Sequence, residues 1–312
     1  MLVIFLLLST FMNGFKTAPD KKLPKKKELC LDYKNDFKIT SYNVWGLPVT
    51  LPGHEDDTRF PIIADSLIKL SSDILCLQEI FSTQFRHLNL PKLMDQYYYF
   101  SDYTCNQSIV PCVQRDAHGG LAHFSRFPIL EEYFFPFPDV EGMRWEEKLG
   151  AKGCLLSKID LPTGMVWVVN THLYSGPTIK DETIRMAQIK IIETAIQNLH
   201  TKLPVVLAGD LNIAHPCLEN DLMVFPKMAY TYLHQEMNLK DVVDNYSVEN
   251  QFYTIDPTNN VYCDSSEGAQ KLDYVFYKHG KFRQFRVINN CVEMKGAATL
   301  SDHHAFSTIF RI

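Results

Sequence analysis

The chain has 312 residues, 46% of them hydrophobic and 21% charged, with a formal net charge of −5 at neutral pH. That length buries a sizeable core as one large α/β domain or two small ones, and the composition excludes a repeat array or a low-complexity body. The acidic balance argues against a protein that grips nucleic acid through many phosphates, which normally shows a basic surplus.

Residues 1–18 open on an apolar run, Leu2 to Leu8, of signal-peptide length and too short to span a bilayer. Lys16, Lys21, Lys22, Lys25, Lys26 and Lys27 follow it, an arrangement that also suits a retained apolar anchor. A secreted, extracellular or membrane-associated protein is expected either way. Residues 19–36 form a Lys/Pro linker, and one domain is expected over 37–312. Its first strand is Phe37 to Val44, closed by the loop Trp45-Gly46-Leu47-Pro48. Helical spacing follows over Arg59 to Leu70, then a buried strand, Asp73 to Ile80, that ends on Gln78-Glu79. Gly119 to Ile129 reads as loop, strand, turn and strand. Lys152 to Ile159 and Met165 to Asn170 are strands joined by the Pro162-Thr163-Gly164 turn. Asp181 to Leu199 has a long helical period, and Ala229 to Met237 a shorter one. The strand Lys271 to Tyr277 and the segment Leu300 to Phe306, which enters the last strand, complete the chain. Many strands with few long helices predict an α/β protein of two packed sheets with helices outside.

Eight cysteines are scattered without a Cys-x-x-Cys pair, so zinc is not indicated. Cys76 and Cys154 sit in apolar runs as buried thiols. Cys105 and Cys112 bracket a short polar loop that a disulfide can close. Asn106 and Asn245 begin glycosylation sequons.

The organising stretch is Gly209-Asp210-Leu211-Asn212, after the apolar run Pro204 to Ala208. Strand alternation would turn Asp210 and Asn212 to one face, and Gly209 would allow a close approach to the backbone. Asn43, Glu79, His172, Asp210 with Asn212, and Asp302-His303 each stand at the end of an apolar strand, so they converge if those ends share one edge. A pocket of carboxylates and amides needs a cation to hold a phosphate, and oxygen ligands select Mg²⁺, Mn²⁺ or Ca²⁺. His303 with a carboxylate partner suits proton transfer near neutral pH. His304 and His215 read as bystanders.

Asn43, Gln78-Glu79, Gly-Asp210-Leu-Asn212, Leu-Asp273-Tyr and Ser-Asp302-His303, in this order, resemble the endonuclease/exonuclease/phosphatase superfamily across residues 37–312. Within it, Asn43-Val44-Trp45-Gly46, Gln78-Glu79-Ile80-Phe81, Ala151-Lys152-Gly153-Cys154, Asn170-Thr171-His172-Leu173 and Leu300-Ser301-Asp302-His303 are similar to neutral sphingomyelinases. The Cys105 to Cys112 spacing also resembles the disulfide loop of secreted sphingomyelinases.

The resemblance implies a DNase I-like four-layer α-β-β-α sandwich of mainly antiparallel sheets. It implies Glu79 as principal Mg²⁺ ligand, with Mn²⁺ a substitute, helped by Asn43 and supported by Asp302. Asp210 would orient or deprotonate the attacking water, and Asn212 would contact the phosphate or a second metal. His303 would be general base or acid, steered by Asp273; His172 would stabilise the phosphate in the transition state, with Lys152 near it. The implied reaction is hydrolysis of sphingomyelin at a membrane surface by a monomer that needs no nucleic acid. The competing readings are a DNA endonuclease of abasic-site type and a non-catalytic secreted binding protein. For membrane contact the candidates are Phe134-Phe135-Pro136-Phe137-Pro138 and the neighbourhood of Trp145.

Overall fold

The computed structural model describes residues 35–101, 118–213, 228–244, 252–266 and 268–312, together with the backbone of 107–110 and 113–115. Residues 1–34, Cys105, Asn106, Cys112, His215 and Asn245 therefore lie outside the described residues, and with them the N-terminal segment, the expected disulfide and the sequons.

Fourteen strands are described. In chain order they are β1 (Asp36–Gly46), β2 (Ile74–Ile80), β3 (Tyr99–Phe100), β4 (Gln107–Val110), β5 (Val113–Arg115), β6 (Ala122–Ser125) and β7 (Ile129–Pro136). They continue with β8 (Gly153–Leu161), β9 (Gly164–His172), β10 (Val205–Asp210), β11 (Lys240–Asp241), β12 (Asp273–Lys278), β13 (Arg286–Glu293) and β14 (Ala305–Arg311). The first sheet has the order β13-β14-β1-β2-β6-β3 and the second β11-β12-β10-β9-β8-β7; β4 and β5 pair as a separate hairpin. Most pairings are antiparallel, but β1 with β2 and β9 with β10 run parallel.

Side-chain alternation explains how the layers stack. Ile39, Ile74, Cys76 and Phe306 of the first sheet pack with Val166, Val168, Val206, Ala208 and Val275 of the second in one buried cluster between the sheets. The alternate residues of the first sheet, such as Tyr42, Leu75 and Leu77, face helices α1 (Asp56–Lys69) and α2 (Thr83–Gln96). Trp167, Val169, Val205 and Leu207 of the second sheet face a long helix over Ile179–Asn198. This is the expected α-β-β-α sandwich.

Helix α1 begins three residues before the predicted start, because Asp56 and Asp57 occupy its first turn and favour the positive end of the helix dipole. Pro61 thus falls inside the helix. Helix α2 was not predicted. Its interior Pro91 reads as a breaker, and its buried residues Phe85, Asn89, Leu90 and Leu93 include an asparagine. Ser82 supplies its N-cap, accepting from the Phe85 N–H. A short helix α3 (Trp145–Leu149) follows β7, and α4 (Ile179–Asn198) starts with a Thr178–Asp181 capping box. The predicted 229–237 helix is instead α5 (Met228–Thr231) running into a π-type turn, Tyr232–Glu236.

One sequence expectation about side-chain direction is corrected, and the close approach expected at Gly209 is found. β10 ends at Asp210, and Asn212 lies beyond it with φ 50°, so the two do not share a strand face. The close approach at Gly209 is made by the protein itself. With φ 148°, a Cβ there would meet the Thr171 carbonyl oxygen of β9 at 2.0 Å.

Candidate active site

Asn43, His172, Asp210 and Asp273 all have the alternation that points into the gap between the sheets, at the edge where β1, β9 and β10 end and β12 begins. Register brings them level: Asp210 pairs with His172 on one side and with Asp273 on the other. The segment 301–303 precedes β14 on the same edge, since β14 runs antiparallel to β1. Glu79 has the opposite parity, which would aim it at the helices. A left-handed backbone, φ 58°, breaks the alternation there, and its carboxylate meets Asn43. Trp45 and Asn212 also adopt left-handed φ values beside the site. Such strained residues persist only where surrounding packing holds them, commonly at functional sites.

Asn43 is the hub. Its Nδ2 donates to Glu79 Oε1 and to Asp210 Oδ2, both at 3.1 Å, and its Oδ1 accepts the Trp45 N–H at 2.9 Å. Asp210 Oδ2 also lies 3.4 Å from His172 Nε2 and 3.5 Å from His303 Nε2. On the far side of its ring, His303 Nδ1 meets Asp273 Oδ2 at 2.6 Å. Burial opposes charging His303, but Asp273 and Asp210 outweigh it and hold the imidazole well above its usual range. It is an imidazolium at neutral pH, clamped between two carboxylates.

His172 is the reverse case. Burial, then the Lys152 charge, push it down to about 3, so it stays neutral. Lys152 Nζ can only donate, so His172 Nε2, 3.1 Å away, accepts and the ring proton sits on Nδ1. That Nδ1 makes no hydrogen bond among the described residues; it faces Glu79 Oε1 at 3.8 Å and can donate to an oxygen that enters there. Lys152 itself spends its three protons on His172, the Leu173 carbonyl at 3.2 Å and Glu147 at 2.8 Å. In this arrangement it orients His172 and adds positive charge, without a proton left over. Asn212 donates from Nδ2 to the same Leu173 carbonyl at 3.0 Å, and its backbone N–H is held by Asp210 Oδ1.

The single Ser301 hydroxyl proton lies between two acceptors, the Asn43 carbonyl at 2.7 Å and Asp302 Oδ1 at 3.1 Å. Burial raises the carboxyl of Asp302. Burial first and Asp302 second push Glu79 up to about 7. Glu79 Oε2 is buried without a protein partner among the described residues. A carboxylate that pays for ionisation and leaves an oxygen unused fits a cation. No three His, Cys, Asp or Glu side chains among the described residues close up as a chelate. One carboxylate with amide help suits Mg²⁺, which keeps several waters and takes substrate phosphate oxygens, better than a metal needing a full protein cage.

Glu147 pairs with Lys152 from α3, and nothing in the sequence marks this one glutamate of a short polar helix. His304 precedes β14 rather than lying on it, and is fully buried with neither ring nitrogen hydrogen-bonded among the described residues. The aromatic run is corrected. Phe134 and Phe135 are half-buried in edge strand β7 and Phe137 is buried, because the strand turns them onto Gly153 and the helix-side core. Trp145 is the exposed one, at 73%.

Carboxylates, amides and two histidines of opposite protonation, gathered at one edge of a two-sheet sandwich, define a hydrolase of phosphate esters. The chain belongs to the endonuclease/exonuclease/phosphatase family, whose family model matches residues 40–303. It is 26% identical to the inositol phosphosphingolipids phospholipase C of Schizosaccharomyces pombe, covering 89% of this chain and 69% of that protein. It is 30% identical to sphingomyelin phosphodiesterase 5 of Danio rerio over 50% of this chain, and 27% identical to sphingomyelinase C 2 of Leptospira interrogans over 64%. The matches span only 31% and 34% of those two proteins. Among solved structures, SmcL superposes with a TM-score of 0.66 at 21% identity, covering 90% of this chain and all of that one. Staphylococcus aureus beta toxin with bound magnesium ions gives 0.65 at 22%, covering 88% and 99%. These last likenesses speak for the fold.

Proposed function

We propose that this protein is a Mg²⁺-dependent phosphodiesterase that hydrolyses sphingomyelin to ceramide and phosphocholine. The observation that carries the reaction type is the convergence on Asp210 Oδ2 of Asn43, His172 and His303, beside a buried Glu79 oxygen without a protein partner. The sphingolipid substrate is supported by the names of the relatives, and magnesium by the ions bound in beta toxin.

Glu79, with Asn43 and Asp302 beside it, would hold the cation, which when bound supplies Lewis-acid charge on a phosphoryl oxygen. The chain's own groups do the rest. Asp210 Oδ2 accepts the proton of the attacking water. His303, its second nitrogen committed to Asp273, holds a proton beside that carboxylate for the departing oxygen. His172 donates from Nδ1 to the phosphoryl oxygen as charge builds on it. Asn212 sets the Leu173–Lys152–His172 unit at the rim.

The test is phosphocholine release from sphingomyelin vesicles by the full chain, with Mg²⁺ and with EDTA, beside an abasic DNA duplex. The expected result is Mg²⁺-dependent release with the DNA intact. Asp210→Asn and His303→Ala should each lower turnover about 10²–10⁴-fold while unfolding cooperatively. DNA cleavage with intact lipid would overturn the substrate; full activity in either variant would overturn the mechanism.

A further inference from the structure

The reacting groups come from both sheets: Asn43, Glu79, Asp302 and His303 from the first, His172, Asp210, Asn212 and Asp273 from the second. Apolar contact between the sheets is non-directional and leaves small sliding displacements cheap. Something directional must set one sheet against the other at this edge, behind the Asn43–Asp210 and His303–Asp273 contacts that the reacting groups themselves make across the gap.

Asn170 and Gln78 meet that need. Asn170 lies on β9 two residues before His172, and Gln78 on β2 one residue before Glu79; both are fully buried in the gap between the sheets. Asn170 Nδ2 crosses to the first sheet and donates to the Leu77 carbonyl at 2.9 Å and the Ala122 carbonyl at 3.0 Å. These carbonyls belong to the last residue pair of the β2–β6 ladder, where the sheet opens towards the site. Because carbonyls only accept, Asn170 Oδ1 must face Gln78, and it takes the Gln78 Nε2–H at 2.8 Å. Turning either amide over would set oxygen against oxygen, so the pair has one orientation.

We infer that the Asn170–Gln78 amide interlock is the positioning device that registers the two sheets at the reaction centre, holding Glu79 and His172 in mutual alignment. Neither residue touches the reacting atoms; both act through their neighbours. A displacement of about 1 Å in such a site costs about 10²-fold in rate. The activity arm of the test rests on the phosphodiesterase reading; a second arm does not.

Asn290 provides a matched control. It is a buried amide that also joins the sheets, donating to the Val242 carbonyl at 2.9 Å, but it pairs with Thr308 well along β14 from His303. Asn170→Leu, Gln78→Met, their double variant and Asn290→Leu are compared with wild type by two measurements. One is kcat and KM on the soluble diester bis(4-nitrophenyl) phosphate with Mg²⁺. The other is the set of imidazole carbon–proton NMR signals of His172 and His303, which needs no substrate.

Asn170→Leu should lower kcat about 10- to 100-fold with KM changed less than about threefold, and should move the His172 signal. The double variant should be no worse than Asn170→Leu, since both changes break one interlock. Asn290→Leu should lose stability with kcat and both signals unchanged. If Asn170→Leu behaves as Asn290→Leu does, with unmoved signals, the interlock is structural filling and the inference falls. Should Asn170→Leu fail to fold, Gln78→Met is judged by the same two measurements. A wild type that leaves diesters intact would overturn the functional reading, while the imidazole signals would still decide the interlock.

Discussion

Glu79 concentrates two penalties, and a cation held by its carboxylate would offset the second of them. Its left-handed backbone carries strain of about 1–3 kcal/mol, and burial with Asp302 raises its carboxyl from the usual 4.5 to about 7. Between those two pH values the folded chain keeps a proton that the unfolded chain has released, so the metal-free fold loses stability as pH rises through this window. Mg²⁺ bound as proposed at Glu79 would compete with that proton. The Mg²⁺-induced rise in the unfolding midpoint should therefore be small at pH 5 and large at pH 8. In Glu79→Gln the metal-free midpoint at pH 8 should exceed that of wild type, with the Mg²⁺ shift gone and turnover down at least about 100-fold. Thermal unfolding with and without Mg²⁺ at the two pH values measures this. An equal Mg²⁺ shift at both pH values, or one that survives in the variant, would place the cation elsewhere.

At the scale of elements, each outer helix layer anchors one rim of the site through a buried arginine. Arg59 of α1 donates to the carbonyls of Val44, Trp45 and Leu300 and pairs with Asp56 at 2.7 Å, tying the end of β1 to the segment that carries Asp302 and His303. Arg185 of α4 does the same for the segment after His172, donating to the carbonyls of Tyr174 and Gly176 and pairing with Glu182 at 2.9 Å. Removing one partner of a buried pair leaves an uncompensated charge. Arg59→Met should lower stability by about 3–5 kcal/mol, read from the urea midpoint at constant slope. A loss below about 1 kcal/mol would show that Asp56 finds other compensation. Neither arginine stood out in the sequence, because a charged residue at helical spacing reads as a solvent-facing one. Helix α2 escaped for a related reason: its Pro91 and buried Asn89 mimic a loop, and only packing against α1 makes that stretch helical.

On the scale of the whole molecule, Trp145 stands exposed on α3, the same short helix whose Glu147 holds Lys152 at the site. An indole so placed beside a site proposed to take a lipid suits the membrane–water interface. Trp145→Ala should weaken association with sphingomyelin vesicles about tenfold in a flotation assay, with turnover of a soluble diester unchanged. Equal binding by both proteins would assign the docking surface elsewhere. Among the described residues no helix is long and apolar enough to cross a membrane.

Most of the fold was legible because buried strands and their ends leave a strong periodic mark. The alternation of Val166 and Val168, and of Val206 and Ala208, implies a face, and a face at the inter-sheet layer carries Asn43, His172 and Asp210 to one edge. Sequence by itself therefore determined the two-sheet architecture, the strand-end motifs and the family they resemble. Tertiary structure alone decided the direction of Glu79, which parity would have sent to the helices, and the separation of Asn212 from the strand face of Asp210. It also decided that His172 is neutral while His303 is charged. Protonation follows from what lies within a few ångströms in space, and here Lys152 comes from the start of the neighbouring strand and Asp273 from the facing sheet, both distant in the chain.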